Sequence, residues 1–241
     1  MSQNTSLMKF SSKIKFFIFF LLLCSISFLI LFFINNFFLV KNILIISDKN
    51  FSLVNKDKII NKSLLFVNQE QIAKIIIKEN FFLKSAIIEK VWPDTLKISI
   101  TLYDPCVSLI VNNGTFNLSC DGRILQKTKD VESFLPIVNY YQKLSNNSFQ
   151  TGDWINYRDI KQTLFFVERL KQINLIPLTI DIKGQDMLVF KLVDNKEIIF
   201  NNNKDKEVQS YQLELIIRQF KIEGKDFKKI DLRFNKPIVS F

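Results

Sequence analysis

At 241 residues with 48% apolar side chains, the chain has material for one or two packed cores, which excludes disorder as its default state. Its 33 basic and 23 acidic residues give a net charge of +10, but no basic stripe interleaved with stacking aromatics points to nucleic acid. The chain has no histidine, which excludes Ser-His-Asp and Cys-His catalysis and histidine-ligated zinc.

The first element is a membrane helix. Phe16 to Ile34 is an uncharged run of 19 residues, polar only at Ser25 and Ser27. At a rise of 1.5 Å per residue it spans about 28 Å, close to the roughly 30 Å hydrocarbon core of a bilayer. A cleaved signal peptide is the competing reading, but its apolar region is shorter and ends in small residues, whereas Asn35-Asn36-Phe37-Phe38-Leu39-Val40 follows here. Lys9, Lys13 and Lys15 precede the helix without an acidic residue and favour a cytoplasmic N-terminus. Lys41, Lys49, Lys56 and Lys58 beyond it weaken that vote. Without the three tail lysines, 30 basic residues still face 23 acids. A basic ectodomain is drawn to anionic lipid or acidic polymers, but lysines such as Lys225, Lys228 and Lys229 read as solvated surface.

Lys41 to Ile46 reads as a short strand, and Ser47 to Lys62 is polar with weak periodicity. Asn68 is placed to cap a helix with Gln71 three residues on, and Ile72, Ile75 and Ile76 form its apolar face. Thr95 to Tyr103 alternates without error, with Leu96, Ile98, Ile100 and Leu102 on one side, the mark of a half-buried strand. Ahead of it, Trp92-Pro93-Asp94-Thr95 predicts a type I turn. The partner strand Ser85 to Val91 mixes its faces, so its inward side is left open. Residues 37–105 thus form a compact α+β unit behind a tail at 1–15 and a membrane helix at 16–36.

Residues 106–241 have a different texture, that of a mixed antiparallel β-rich domain with two or more helices. Val107 to Val111 and Thr115 to Cys120 flank Asn112-Asn113-Gly114, a hairpin signal. Strand character returns at Leu178 to Ile182, Met187 to Val193 and Glu197 to Phe200. Ile160, Leu164, Val167 and Leu170 mark one helix face, and Leu213, Ile216, Ile217 and Phe220 a second. Lys229 to Phe234 alternates again, and Pro237 beside the terminal segment up to Phe241 suggests a sheet edge, because proline donates no ladder hydrogen bond.

Chemistry is hard to find. The five glycines fit neither a P-loop nor a dinucleotide fingerprint. Ser12-Lys13-Ile14-Lys15 formally matches S-x-x-K but lacks its companion motifs. Glu223 and Asp226 read as surface acids without a pocket. We therefore expect no catalytic, cofactor-binding or metal-binding residues and no cofactor. Cys24 packs in the apolar helix as a small hydrophobe. Cys106 and Cys120 lie at equal distance from Asn113. A three-residue loop with a left-handed Gly114 sets them opposite each other, whereas a two-residue Asn113-Gly114 turn puts them on different faces; a disulfide depends on which forms.

The segment LLFVNQEQIAKII followed by SAIIEKVWPDTLKISITLYDP resembles the POTRA module of the FtsQ/DivIB family of bacterial cell-division proteins. Cys120-Asp121-Gly122-Arg123 is similar to a turn of that family, Phe134-Leu135-Pro136-Ile137 to its Leu-Pro segment, and Ile230-Asp231-Leu232-Arg233-Phe234 to its terminal Asp-Leu-Arg-aromatic strand. The order of the motifs behind the anchor covers nearly the whole chain. The pattern departs from the family in Ser47 to Lys62, where a first POTRA helix is expected, and at Asn201-Asn202-Asn203, where a glycine is usual.

The resemblance implies a non-enzymatic, single-pass inner-membrane protein with its folded part outside the cytoplasm, recruiting divisome proteins, chiefly FtsB and FtsL, at the septum. It implies partner binding at Arg233 and Phe234, and less directly at Val239 and Phe241, through a strand added at an open C-terminal edge. A core position is the alternative for Phe234. A membrane-anchored cell-wall enzyme and a POTRA-bearing secretion or transport component are the competing functions.

Overall fold

The computed structural model describes residues 4–47, 49, 59–131, 134–184 and 186–241, with side chains from Phe16 onward. The chain is α+β and divides into two compact units between Leu102 and Tyr103. Most of the segment in which a first POTRA helix is expected lies outside the described residues.

Helix α1 (Asn4–Phe37) contains the apolar run. Its stretch Phe16–Phe37 is long and apolar enough to cross a membrane, and its side chains are exposed all round, from Phe16 to Phe33. A helix apolar on every side finds its counterpart in hydrocarbon rather than in a core stripe. Beyond it, β1 (Asn42–Ser47) pairs in parallel with β3 (Thr95–Leu102), and β2 (Leu83–Val91) pairs antiparallel on the other side of β3, giving the order β1-β3-β2. Leu96, Ile98 and Ile100 of β3 are buried, as the alternation requires.

The faces of Ser85 to Val91 are blurred in sequence because apolar residues fall on both sides of a regular ladder; Ile88 is buried, and the slip that lets Leu83 reach the core as well lies ahead of this stretch, between Leu83 and Ser85. Ile87 and Val91 point outward instead. The reversal between β2 and β3 contains a cis Trp92–Pro93 bond rather than the expected type I geometry. Helix α2 (Gln69–Glu79) starts where Asn68 accepts a hydrogen bond from the Gln71 amide at 3.1 Å. Ile72 and Ile76 of α2 are buried, whereas Ile75, expected on the same face, is exposed.

Among the described residues, the second unit forms one nine-stranded sheet with two α-helices. In chain order its strands are β4 (Pro105–Val111), β5 (Gly114–Ser119), β6 (Ile124–Thr128), β7 (Ile137–Tyr140), β8 (Pro177–Ile182), β9 (Leu188–Leu192), β10 (Glu197–Phe200), β11 (Lys229–Asp231) and β12 (Ile238–Ser240). Their spatial order is β12-β11-β10-β9-β8-β7-β4-β5-β6. The sheet is mixed rather than mainly antiparallel at its centre, because β4, β7 and β8 run parallel. Helix α3 (Arg158–Gln172) lies on the crossover from β7 to β8, and α4 (Lys206–Glu223) on that from β10 to its parallel neighbour β11.

Parallel neighbours need such crossovers, and their helices cover the sheet. Ile160, Leu164, Val167 and Leu170 of α3 are buried. The Phe166 ring stacks on Phe200 with centroids 3.9 Å apart, and Phe190 meets both rings edge-on. Asp205 caps α4 by accepting from the Glu207 and Val208 amides, and Gly224 ends it in the left-handed conformation with φ +64°. Leu213 and Ile217 form its buried face, with Ile216 and Phe220 partly buried against the same core.

Candidate docking edge of the C-terminal sheet

β12 is the outermost strand of the nine. It pairs antiparallel with β11, matching Ile230 to Val239 and Asp231 to Ile238. Its other flank faces no strand among the described residues. Beside it, α4 presents a second apolar face. Leu215, Ile222 and the partly buried Ile216 and Phe220 line a groove of about 560 Å³ whose far wall is Pro237 and Val239. Ile222 is 75% exposed, and Phe241 rests its ring edge-on against Phe220 at 5.7 Å while staying 63% exposed. An open strand edge next to an apolar groove offers a partner both backbone hydrogen bonds and pockets for alternate side chains.

The four residues expected at a partner site occupy different settings. Val239 lines the groove and packs partly into the core, and Phe241 stands exposed at its end. Arg233 and Phe234 are not on a strand, because β11 stops at Asp231 and residues 233–236 form a bend before β12. The bend has a local cause: Asp231 Oδ1 accepts the Arg233 amide at 3.1 Å, turning the chain out of the ladder. The Arg233 guanidinium is committed to Asp231, with Nη2 2.7 Å from Oδ2, rather than projecting toward a partner carboxylate. Burial raises the Asp231 pKa, but the hydrogen bonds from Arg233 outweigh it and hold the carboxyl below its usual range. Phe234 is 49% exposed, with the Arg233 guanidinium 5.6 Å from its ring centroid, so it is not a core residue.

The apolar periodicity of α4 marks Leu213, Ile216, Ile217 and Phe220, of which Ile216 and Phe220 line the groove as well as packing against the core. The outer residues Tyr211, Leu215 and Ile222 were legible as apolar positions on the opposite side, spaced by four and seven.

Cys106 and Cys120 are joined in a disulfide with Cα atoms 5.1 Å apart. Neither expected loop forms. Val111 pairs with Gly114 around a two-residue Asn112-Asn113 loop, and the ladder then slips between Pro105 and Val107, which brings Cys106 beside Cys120. Glu223 and Asp226 are paired at the surface with Lys225 and Lys196 at 2.8 and 2.7 Å. Among the described residues no group of cysteine, aspartate and glutamate side chains is arranged to hold a metal ion. No protein-family model matches the chain, and comparison with curated proteins gives no significant match.

Proposed function

We propose that the chain is a non-enzymatic, membrane-anchored scaffold of the FtsQ/DivIB type that gathers bacterial cell-division proteins at the septum. The apolar run of α1 is the anchor, the N-terminus lies in the cytoplasm, and the first unit with its β1-β3-β2 sheet serves as the POTRA module. The observation that carries this reading is the open flank of β12 beside the α4 groove. A segment of FtsB or FtsL adds a strand along β12 while a neighbouring turn of its helix places apolar side chains against Leu215 and Ile222. Arg233 shapes the end of this rim through Asp231 instead of meeting the partner itself.

A photo-crosslinking residue at Ile238, which is 55% exposed, tests the reading in growing cells. Capture of a single-pass septal coiled-coil protein is expected. Adducts only with enzymes of wall synthesis, or with a barrel or channel component, would support one of the competing functions instead.

A further inference from the structure

Two segments of the first unit expose large apolar side chains that neither its core nor the docking edge uses. Trp92, on the turn between β2 and β3, is 54% exposed, and Phe66, in the loop before α2, is 84% exposed. Val91 and Leu65 beside them are exposed as well. Single apolar residues on a surface need no explanation, but these four share one end of the unit with the close of α1.

The topology dictates that placement. β1 runs parallel to β3 with Asn42 opposite Thr95, and β2 runs antiparallel to β3 with Val91 opposite Thr95. The start of β1 and the turn from β2 to β3 therefore lie at the same end of the sheet. Residues 38–41 are all that separate α1 from β1, and they span at most about 14 Å.

The same short connection is tied to both exposed segments. The Leu64 amide donates to the Phe38 carbonyl at 2.7 Å, the Val40 amide to the Lys62 carbonyl at 3.0 Å, and the Lys41 amide to the Asp94 carbonyl at 2.9 Å. Phe38 meets Phe37 edge-on at 5.2 Å and Trp92 at 5.3 Å, so a row of rings continues from the last residue of α1 to the β2–β3 turn. The Lys90 amine lies 6.0 Å from the Trp92 ring centroid and 3.4 Å from the Leu65 carbonyl oxygen, between the two segments.

This continuity names what covers the patch. When the apolar run of α1 occupies the hydrocarbon, Phe37 marks its boundary with water, and the rings beyond it stand at headgroup level. Tryptophan is favoured at that depth because its body is apolar and its N–H polar. The rim carries the matching charge, with Lys41 and Lys62 exposed and Lys90 partly so, against Glu70 and an Asp94 whose Oδ1 accepts the Thr95 hydroxyl.

We propose that this end of the first unit docks on the phospholipid surface from which α1 emerges, with Trp92 and Phe66 inserted among the headgroups and Lys41 and Lys62 facing lipid phosphates. Docking fixes the first unit against the bilayer instead of leaving it to swing on residues 38–41. The proposal rests on the part of the scaffold reading that makes α1 a membrane span and on nothing else in it.

The test uses the full chain with Trp154→Phe, which leaves Trp92 as its one tryptophan, in vesicles of phosphatidylcholine and phosphatidylglycerol. Flotation on a density gradient reports the anchor. Trp92 fluorescence is expected to fall about twofold or more when the acyl chains carry bromine near the headgroup, because an interfacial apolar face lies about 5–10 Å into the headgroup and acyl boundary. In the unaltered chain, where no substitution can disturb the fold, a phospholipid with a diazirine at the same depth is expected to label Phe66 and Trp92 as well as α1. A chain that floats yet keeps its full Trp92 fluorescence, with lipid adducts confined to α1, overturns the proposal and leaves the anchor standing, the outcome expected if another protein covers this face. Failure to float overturns both.

Discussion

Arg233 folds back onto Asp231, two residues before it, with Nε 3.0 Å from Oδ1 and Nη2 2.7 Å from Oδ2. Asp231 is 6% exposed, so removing the guanidinium strips a buried carboxylate of its hydrogen-bonded countercharge and leaves it the backbone amide of residue 233. Arg233→Ala is expected to lower the stability of the second unit by about 1–3 kcal/mol in urea titrations. The Asp231 carboxyl is held below its ordinary value of about 3.9 when folded, so its contribution is complete above that pH and disappears as pH falls through the lower folded value. In Asp231→Asn that part of the acid limb of the stability curve flattens. A limb as steep as in the parent chain would show that the pair does not stabilise the fold.

The two exposed groove residues of α4 should be separable from folding. Leu215→Asp and Ile222→Asp are expected to change stability by no more than about 0.5 kcal/mol, as for other surface substitutions. Capture of the partner from an Ile238 crosslinker should nevertheless fall about tenfold or more, the range seen when a central apolar contact of an interface is removed. Undiminished capture in both variants would move the contact away from the groove.

Gly114 and Gly224 both have positive φ but meet different surroundings. A Cβ on Gly114 would lie 2.6 Å from the Thr128 carbonyl oxygen, whereas one on Gly224 meets nothing within 4 Å. Gly114→Ala is therefore expected to cost about 2–4 kcal/mol through clash and backbone strain together. Gly224→Ala costs about 1–2 kcal/mol from the left-handed conformation alone. Thermal melts of the two variants rank them, and equal shifts would contradict the close approach between β5 and β6.

Cys106 and Cys120 close a loop with a sequence separation of 14. Loop-closure entropy for that length gives about 3 kcal/mol, so Cys106→Ser with Cys120→Ser, or added reductant, should lower stability by about 2–4 kcal/mol. Reducing and non-reducing urea curves that superimpose would remove the contribution.

The stacked pair Phe166 and Phe200 joins α3 to the sheet, and both rings are fully buried. Phe200→Ala is expected to destabilise the second unit by about 3–5 kcal/mol, and Phe200→Leu by less, since it leaves a smaller void. Chemical denaturation of both variants checks the order.

Legibility in sequence followed how regular each ladder is. β3 could be read residue by residue because it carries no inserted residue itself: its ladder with β1 is regular, and the slip against β2 lies on β2. β4 carries a slip in register, and a period of two cannot be followed across an inserted residue, whereas β2 is blurred by apolar Ile87 and Val91 on its outer face. At the hairpin this decided the cysteines, because the loop length on its own sets the wrong pairing until the slip beside Cys106 is included. β11 was read as too long: Leu232 and Phe234 continue the alternation, but a side-chain acceptor at Asp231 bends the backbone first.

β7 went unread for another reason. It is four residues long, and its role as the parallel strand between β4 and β8 is set by partners about 30 and 40 residues away in sequence.

The spatial order of the sheet has a consequence for synthesis. From β8 onward, each strand in chain order is laid down beside the one before it, ending with β12. The open rim is thus assembled after the eight strands that support it. On the proposed scaffold reading, a molecule stalled on the ribosome, or clipped anywhere upstream of Pro237, lacks the recruiting surface and is a silent bystander instead of a competitor of finished copies.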